Sequence, residues 1–470
     1  MAQFFHGIRT TESPTSIVAP IKTGTVPIIF GTSEVNLVEP SERAINKPVL
    51  CYSQKDVAKY LGLGNNSQNF TITQASDVFF KLYAVAPVIF VNVLDPAKHK
   101  TAVTGTEIDS TTLEVREAGI LLDTFVLKAA GTKVLESKYR AAFTDEGYVQ
   151  IVLLEEVTGA LTADYSVIDP LKVLKADYIG GENEDGVKTG LEVINDCYSL
   201  TGIFPSIGLV PGVFDTEVIT ILDTKMGNQN GLIKGLSFVD IPTTTVKKYQ
   251  DVAAYKKQNN LTSNQQYVCW PKVKLGDTQY FMSLQAAALK AKVDGENGSP
   301  YESPSNKNLK IDGLCLEDGA VITLGLDTAN YLNSQGVATA INFNSWVLWG
   351  NYTGAFPGTT DVKDTFLCVR DMFNTEQKSF ILTYVNKVDK PGNRNQIDSI
   401  VEAQNIKYNG LTSAGILYGG KVEFREEDNP ITDLIGGTFK FKLFLSPTIP
   451  MQEIVEDFEF DPEAIKTVFN

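Results

Sequence analysis

The strongest constraint on this chain is a strand-like run at each end with no partner beside it in the sequence. Residues 438–446 (TFKFKLFLS) alternate apolar and polar side chains, the period-2 signature of a half-buried strand. After Pro447 and Pro450 a second alternation begins. Ile454, Glu456, Phe458 and Phe460 fall on one side, and Val455, Asp457 and Glu459 on the other. At the N-terminus, Phe4, Phe5 and Ile8 form a shorter run before the polar TTESPTS stretch. An unpaired edge is an aggregation hazard in an ordinary soluble protein. It is also the material from which a chain adds itself to a neighbour's sheet. Folding back onto its own domain is the other fate open to each run.

At 470 residues the chain exceeds what one compact core holds, and two to four domains are expected. An apolar content of 43% is that of a globular protein. The sequence has no run long and apolar enough to span a membrane. The opening MAQ lacks a basic, then apolar, leader, so no secretory signal is expected, and sequons such as Asn260-Leu261-Thr262 carry no glycosylation meaning. A net charge of −15 speaks against nucleic-acid or anionic-membrane partners, which require clustered Lys and Arg. Five widely spaced cysteines without a C-x-x-C pair are expected to be reduced, buried hydrophobes. The only histidines are His6 and His99, both expected to be solvated, so imidazole chemistry has little to draw on.

Apolar runs at 25–32, 48–52 and 88–93 have the texture of buried strands in a helix-covered sheet. Ser53 is placed to cap a helix through Val57, Tyr60 and Leu61, and 72–85 has helical spacing. From 101 to 167, short Thr-, Val- and Leu-rich runs punctuated by glycines suggest a small inserted β domain. The α/β rhythm then resumes. Strands are expected at 207–212, 236–241 and 267–271, with helices at 191–200, from Asp215 to Met226, from Thr244 or Thr245 to Lys257, and at 283–293. Such units about 30 residues apart imply a mostly parallel sheet. After the run 346–350 the pattern changes to helices at 362–385 and from 393 onward, with strands at 416–423 and 438–446. The expected fold is therefore α/β and α+β multidomain. Its parts are an N-terminal arm (1–20), an outer α/β domain (21–100 and 168–345), the β insertion (101–167), an inner α+β domain (346–446) and a C-terminal arm (447–470).

Catalytic signatures are thin. Gly415 to Lys421 matches G-x4-G-K, but Val422 replaces the Ser or Thr that holds magnesium, and a strand rather than a helix is expected to follow. Gly62-Leu63-Gly64 lacks the third glycine and the preceding strand of a dinucleotide site. Acidic pairs such as Glu155-Glu156 and Glu426-Glu427 sit in strand or turn contexts. No enzyme activity, cofactor or metal is expected.

Three segments carry a family resemblance. Phe5-His6-Gly7-Ile8, the AINKPVL run of 44–50 and the WVLWGNYT run of 346–353 resemble, in this order, segments of the tail sheath proteins of contractile phage tails and related injection devices. Ile8 stands where Val is usual. Trp349, Gly350 and Thr353 match, but Tyr352 replaces the usual Arg, so any contact made through that Arg is not carried over. In element order the resemblance covers essentially the whole chain.

What it implies is a structural subunit that polymerises as hexameric rings stacked helically around a tail tube. Contraction drives the tube through a target envelope, with baseplate and tail terminator proteins as further partners and neither nucleic acid nor membrane insertion involved. Such a subunit is assembled in the bacterial cytoplasm and ends in a virion tail or extracellular particle. The resemblance implies linking arms through Phe4, Phe5, Ile8, Ile454, Glu456, Phe458 and Phe460. It implies accepting strands bearing Phe439, Phe441, Leu443 and Leu417, and an inner domain facing the tube, where Arg394 and Lys407 are candidate basic contacts. The alternatives are a self-assembling shell or surface-layer protein and, further off, an α/β enzyme.

Overall fold

The computed structural model describes residues 24–469 except 65–67, 110 and 145. The first buried run forms β1 (Pro27–Gly31), and the next two form β2 (Val49–Cys51) and β3 (Val88–Asn92). Between them α1 (Gln54–Tyr60) begins at Ser53, whose capping box is completed by Asp56. Such reciprocal bonds satisfy donors that a helix start leaves open. Helix α2 (Thr71–Ser76) continues as a wider π turn through Leu82.

Later strands are β4 (Ile207–Leu209), β5 (Leu236–Asp240), β6 (Gln266–Cys269), β7 (Val337–Phe343) and β8 (Ser345–Trp349). The accompanying helices are α3 (Thr216–Gly227), α4 (Tyr249–Gln258), α5 (Met282–Asn297) and α6 (Leu326–Ser334). Among the described residues these eight strands make one sheet, ordered β2-β3-β1-β4-β5-β6-β7-β8. Its six central strands are parallel, and β2 and β8 pair antiparallel at the edges.

The strands are apolar throughout because both faces are covered. Ile29, Phe90, Leu209 and Phe238 pack towards α1, α2 and α5. Ile28, Phe30 and Val91 pack the other way, against Val218, Leu222 and Met226 of α3. A further cluster joins Val239, Val268 and Trp270 to Val252 of α4 and Leu332 of α6.

Between Lys100 and Ile168 the chain builds two small antiparallel sheets, one of four strands and one of three. They enclose their own core, in which Phe125 stacks on Tyr165 with ring centres 5.9 Å apart.

Two expectations shift. The helix placed at Thr244 or Thr245 starts at Tyr249, because the preceding residues form a turn closed from Val246 N to Pro242 O at 3.0 Å. Of the run 346–350, after which the architecture is expected to change, residues 346–349 belong to β8, bonded to β7 along its length. The helix placed at 362–385 is α7 (Leu367–Tyr384), preceded by a separate turn capped by Asp361, and Val385 beyond its end is exposed.

The C-terminal unit consists of α7, α8 (Arg394–Ser413, capped by Asn393), β9 (Leu417–Glu423) and β10 (Lys442–Pro447). Met372, Tyr408, Leu417 and Val422 are its buried centre.

Candidate functional site

The hairpin of β9 and β10 is a two-stranded sheet, a size that is marginal alone in water. Its register pairs Val422 with Leu443 and Lys421 with Phe444. It is held by α8, which lies so close that a Cβ on Gly420 would stand 2.9 Å from the Tyr408 Cβ. Glycine here permits a close helix–strand approach.

Asn405 of α8 donates Nδ2 to the Val422 carbonyl (3.0 Å) and accepts from the Val422 N–H at Oδ1 (2.8 Å). One side-chain amide thus closes that part of the β9 edge. The outer edge of β10 meets no strand among the described residues.

The alternation expected at 438–446 holds residue by residue: Phe439, Phe441, Leu443 and Leu445 are half-buried, while Lys440, Lys442, Phe444 and Ser446 are exposed. The strand itself is shorter than expected, so Phe439 and Phe441 lie in its lead-in. The Asn429 side chain replaces a strand partner there, bonding Lys440 N (2.7 Å) and Lys440 O (2.9 Å). Both phenylalanine rings turn onto Phe424. Leu417 is buried in the unit's core.

Beyond the hairpin, residues 449–461 belong to no strand. Ile454, Phe458 and Phe460 are 81%, 84% and 76% exposed, and Glu456 is exposed with them. An apolar alternation in this state lacks the burial that such patterning implies. Phe4, Phe5, His6 and Ile8 lie outside the described residues.

The two basic candidates behave differently. Arg394 is 82% exposed at the start of α8 and, among the described residues, bonds only to Asp398 one turn on, at 2.8 Å. Lys407 does not point outward. Its ammonium lies 2.6 Å from Glu376 and 3.1 Å from the Ser379 hydroxyl, both on α7. The α7–α8 packing consumes it, so it offers no outward contact.

His99 is likewise buried rather than solvated. Its Nδ1 accepts from Asp95 N at 2.9 Å and its Nε2 faces Asp177 at 3.3 Å. Asp169 N bonds its carbonyl at 2.9 Å. The ring is thus packed where the chain leaves for the β insertion and returns.

The strand order has a switch point where β1 meets β4, the place where open α/β sheets bind ligands. A cleft of about 710 Å³ lies there, lined in part by Thr32, Gly212, Asp215 and Lys272. Its polar groups serve the fold. Asp215 caps α3 by accepting from Glu217 N at 2.9 Å, placing a negative charge where an anion would sit. Lys272 bonds Glu317 at 3.0 Å. Asp240, outside the cleft's lining and pushed up to about 6 by burial, accepts from Ser283 N at 2.9 Å and from its hydroxyl at the start of α5. The G-x4-G-K match runs into β9, with Gly420 against Tyr408. All five cysteines are buried and free. Among the described residues no His, Cys, Asp or Glu cluster has metal-holding geometry, and no helix is long and apolar enough to cross a membrane.

No family model matches the chain. It is 29% identical over 490 residues to the tail sheath protein of Burkholderia phage BcepMu, covering 99% of both chains. With the tail sheath protein of Escherichia phage P2 it shares 26% over 292 residues, 59% of this chain and 69% of the relative. Two solved structures share its fold. The sheath of an extracellular contractile injection system in the contracted state aligns with a TM-score of 0.58 at 13% identity over 99% of each chain. The contracted helical sheath of the anti-feeding prophage aligns with a TM-score of 0.57 at 13% identity, over 97% of this chain and 99% of the other.

Proposed function

We propose that this chain, a homologue of phage tail sheath proteins along its whole length, is the structural subunit of a contractile tail sheath. The observation that carries this reading is the end-to-end match to a phage sheath protein. The exposed, strandless alternation at 454–460 supplies the physical reason for assembly. A subunit that presents such a segment and an open β10 edge is complete only in contact with copies of itself. Head-to-tail contacts that do not close give helical polymers.

In this reading residues 1–20 and 447–470 link each copy to its neighbours, and Ile454, Phe458 and Phe460 bury their side chains in an adjoining sheet. The open β10 edge, rather than the β9 edge closed by Asn405, is where a strand from another copy adds. Six copies form a ring and rings stack around a tail tube, with a baseplate below and a terminator above. The α7–α8 unit faces the tube, and Arg394 is its candidate contact. The α/β sheet and the β insertion lie outside. The role is mechanical rather than enzymatic, in a phage tail or extracellular injection particle. The sleeve is built in a metastable extended state and contracts as rigid subunits exchange contacts, with a cooperative kinetic barrier to release.

Removing residues 451–470 tests the linkage. The shortened chain should remain folded by circular dichroism and sediment as a small species, whereas the full chain polymerises. Polymers formed without the segment would remove the strand-donation claim. Arg394→Glu should weaken sleeve formation on the tube, and normal tube-bound sleeves would count against that contact.

A further inference from the structure

Helix α7 carries a stripe that reverses the usual amphipathic rule. Asp371, Asn374 and Lys378, spaced three and then four residues apart, share one face, and all three are buried. That face lies across the amino ends of the parallel strands. Asn374 Nδ2 donates to Gln265 Oε1 at 2.7 Å, just before β6.

The other two residues begin a pair of polar relays, the first of hydrogen bonds and the second opening on an ion pair. In the first, Lys378 Nζ donates to the Ser206 hydroxyl (2.8 Å), which donates to the Gly24 carbonyl (3.4 Å). In the second, Asp371 lies 2.6 Å from Lys290 Nζ. Lys290 bonds both oxygens of Asp294 (2.9 and 2.7 Å), and Asp294 accepts from the Thr25 hydroxyl at 2.7 Å. Two chains of polar groups thus leave one face of α7 and come out at consecutive residues just before β1, the exposed Gly24 and the half-buried Thr25.

We propose that this double relay is a lock, fixing the root of the N-terminal segment to the first helix of the C-terminal unit. Resting on the reading that residues 1–20 link one copy to another, the lock passes load from that segment straight to α7. The second relay runs through α5, on which Lys290 and Asp294 both lie, so that covering helix carries part of the load. A purely apolar seam between α7 and the strand ends tolerates sliding. This seam does not, because moving α7 separates Asp371 from Lys290 and leaves a buried charge without its partner.

The test is amide hydrogen exchange on the unassembled full-length chain, read peptide by peptide. Thr25→Val deletes one hydroxyl and little volume, and Lys378→Met deletes the other relay's cation while keeping its length. Coupling between two sites is reciprocal. Thr25→Val should therefore speed exchange in the 368–380 stretch of α7 by about fivefold, the size of one net hydrogen bond. Lys378→Met should do the same at residues 24–31, while α3 stays at its wild-type rate in both variants. An increase confined to the mutated element in both variants overturns the lock. Should Lys378→Met not fold, the α7 response to Thr25→Val decides alone. Absence of polymers from the wild-type chain would instead strike the sheath reading, which exchange in the unassembled chain does not depend on.

Discussion

Lys290→Met tests how the two units are joined. Lys290 is fully buried between Asp294 and Asp371, each carboxylate with almost no exposed side-chain surface. Burial pulls its ammonium pKa down, but the two carboxylates pull it up by more, so the net direction is upward. Methionine keeps the length and apolar stem but leaves two facing carboxylates with no cation between them. Removing one partner of a buried ion pair costs about 3–5 kcal/mol. At about 3 °C per kcal/mol for a cooperative unit of roughly 250 residues, 4 kcal/mol lowers Tm by about 12 °C at pH 7.5, read by calorimetry and urea titration.

The loss should depend on pH in a defined direction. Burial already raises Asp294 to about 6 in the folded protein, against an ordinary 3.8, although Lys290 opposes the shift. Without Lys290 it rises further. A carboxyl group with a raised folded pKa stabilises the fold when protonated, and that stability is lost as pH rises through the folded value. The deficit of Lys290→Met should therefore shrink between pH 7.5 and pH 5. Replacing all three residues with Lys290→Met, Asp294→Asn and Asp371→Asn should recover most of the loss. A Lys290→Met chain within about 3 °C of wild type at pH 7.5 would refute the reasoning.

Two further outcomes follow from the geometry. Gly420→Ala should cost about 1–3 kcal/mol, because its Cβ falls 2.9 Å from that of Tyr408. The loss should appear as faster exchange in α8 and β9, and unaltered exchange there contradicts the close approach. Burial lowers Lys378 to about 8 from an ordinary 10.5, so the unfolded chain binds more protons between those values and the folded state gains stability as pH rises through them. Wild type should therefore gain Tm on Lys378→Met from pH 7.5 to 10, and a constant difference excludes the shift.

The elements that could be read from the sequence are those whose signal is local. Ser53 before a helical pattern, Asp215 before α3 and the alternation around Phe441 each depend on residues a few positions apart. What escaped reading depends on distant partners. Lys407 looked like a free basic residue because Glu376, which binds it, lies 31 residues earlier on another helix. His99 looked solvated between two lysines because the chain that covers it returns only at Asp169. Phe439 and Phe441 read as strand residues because periodicity reports which face a residue occupies, whereas Asn429 decides whether a ladder forms. The Asp371-Asn374-Lys378 stripe is visible as three polar residues at helical spacing. Its burial is not, because Ser206, Gln265 and Lys290 come from three separate parts of the sheet layer.

A cryo-EM reconstruction of the purified full-length polymer tests the central claim most directly. The expected result is a hollow helical sleeve in which residues 454–460 of each copy run as a strand along β10 of another. Flat sheets, closed shells or dispersed single particles would contradict it, as would a sleeve whose 454–460 segment pairs within its own chain.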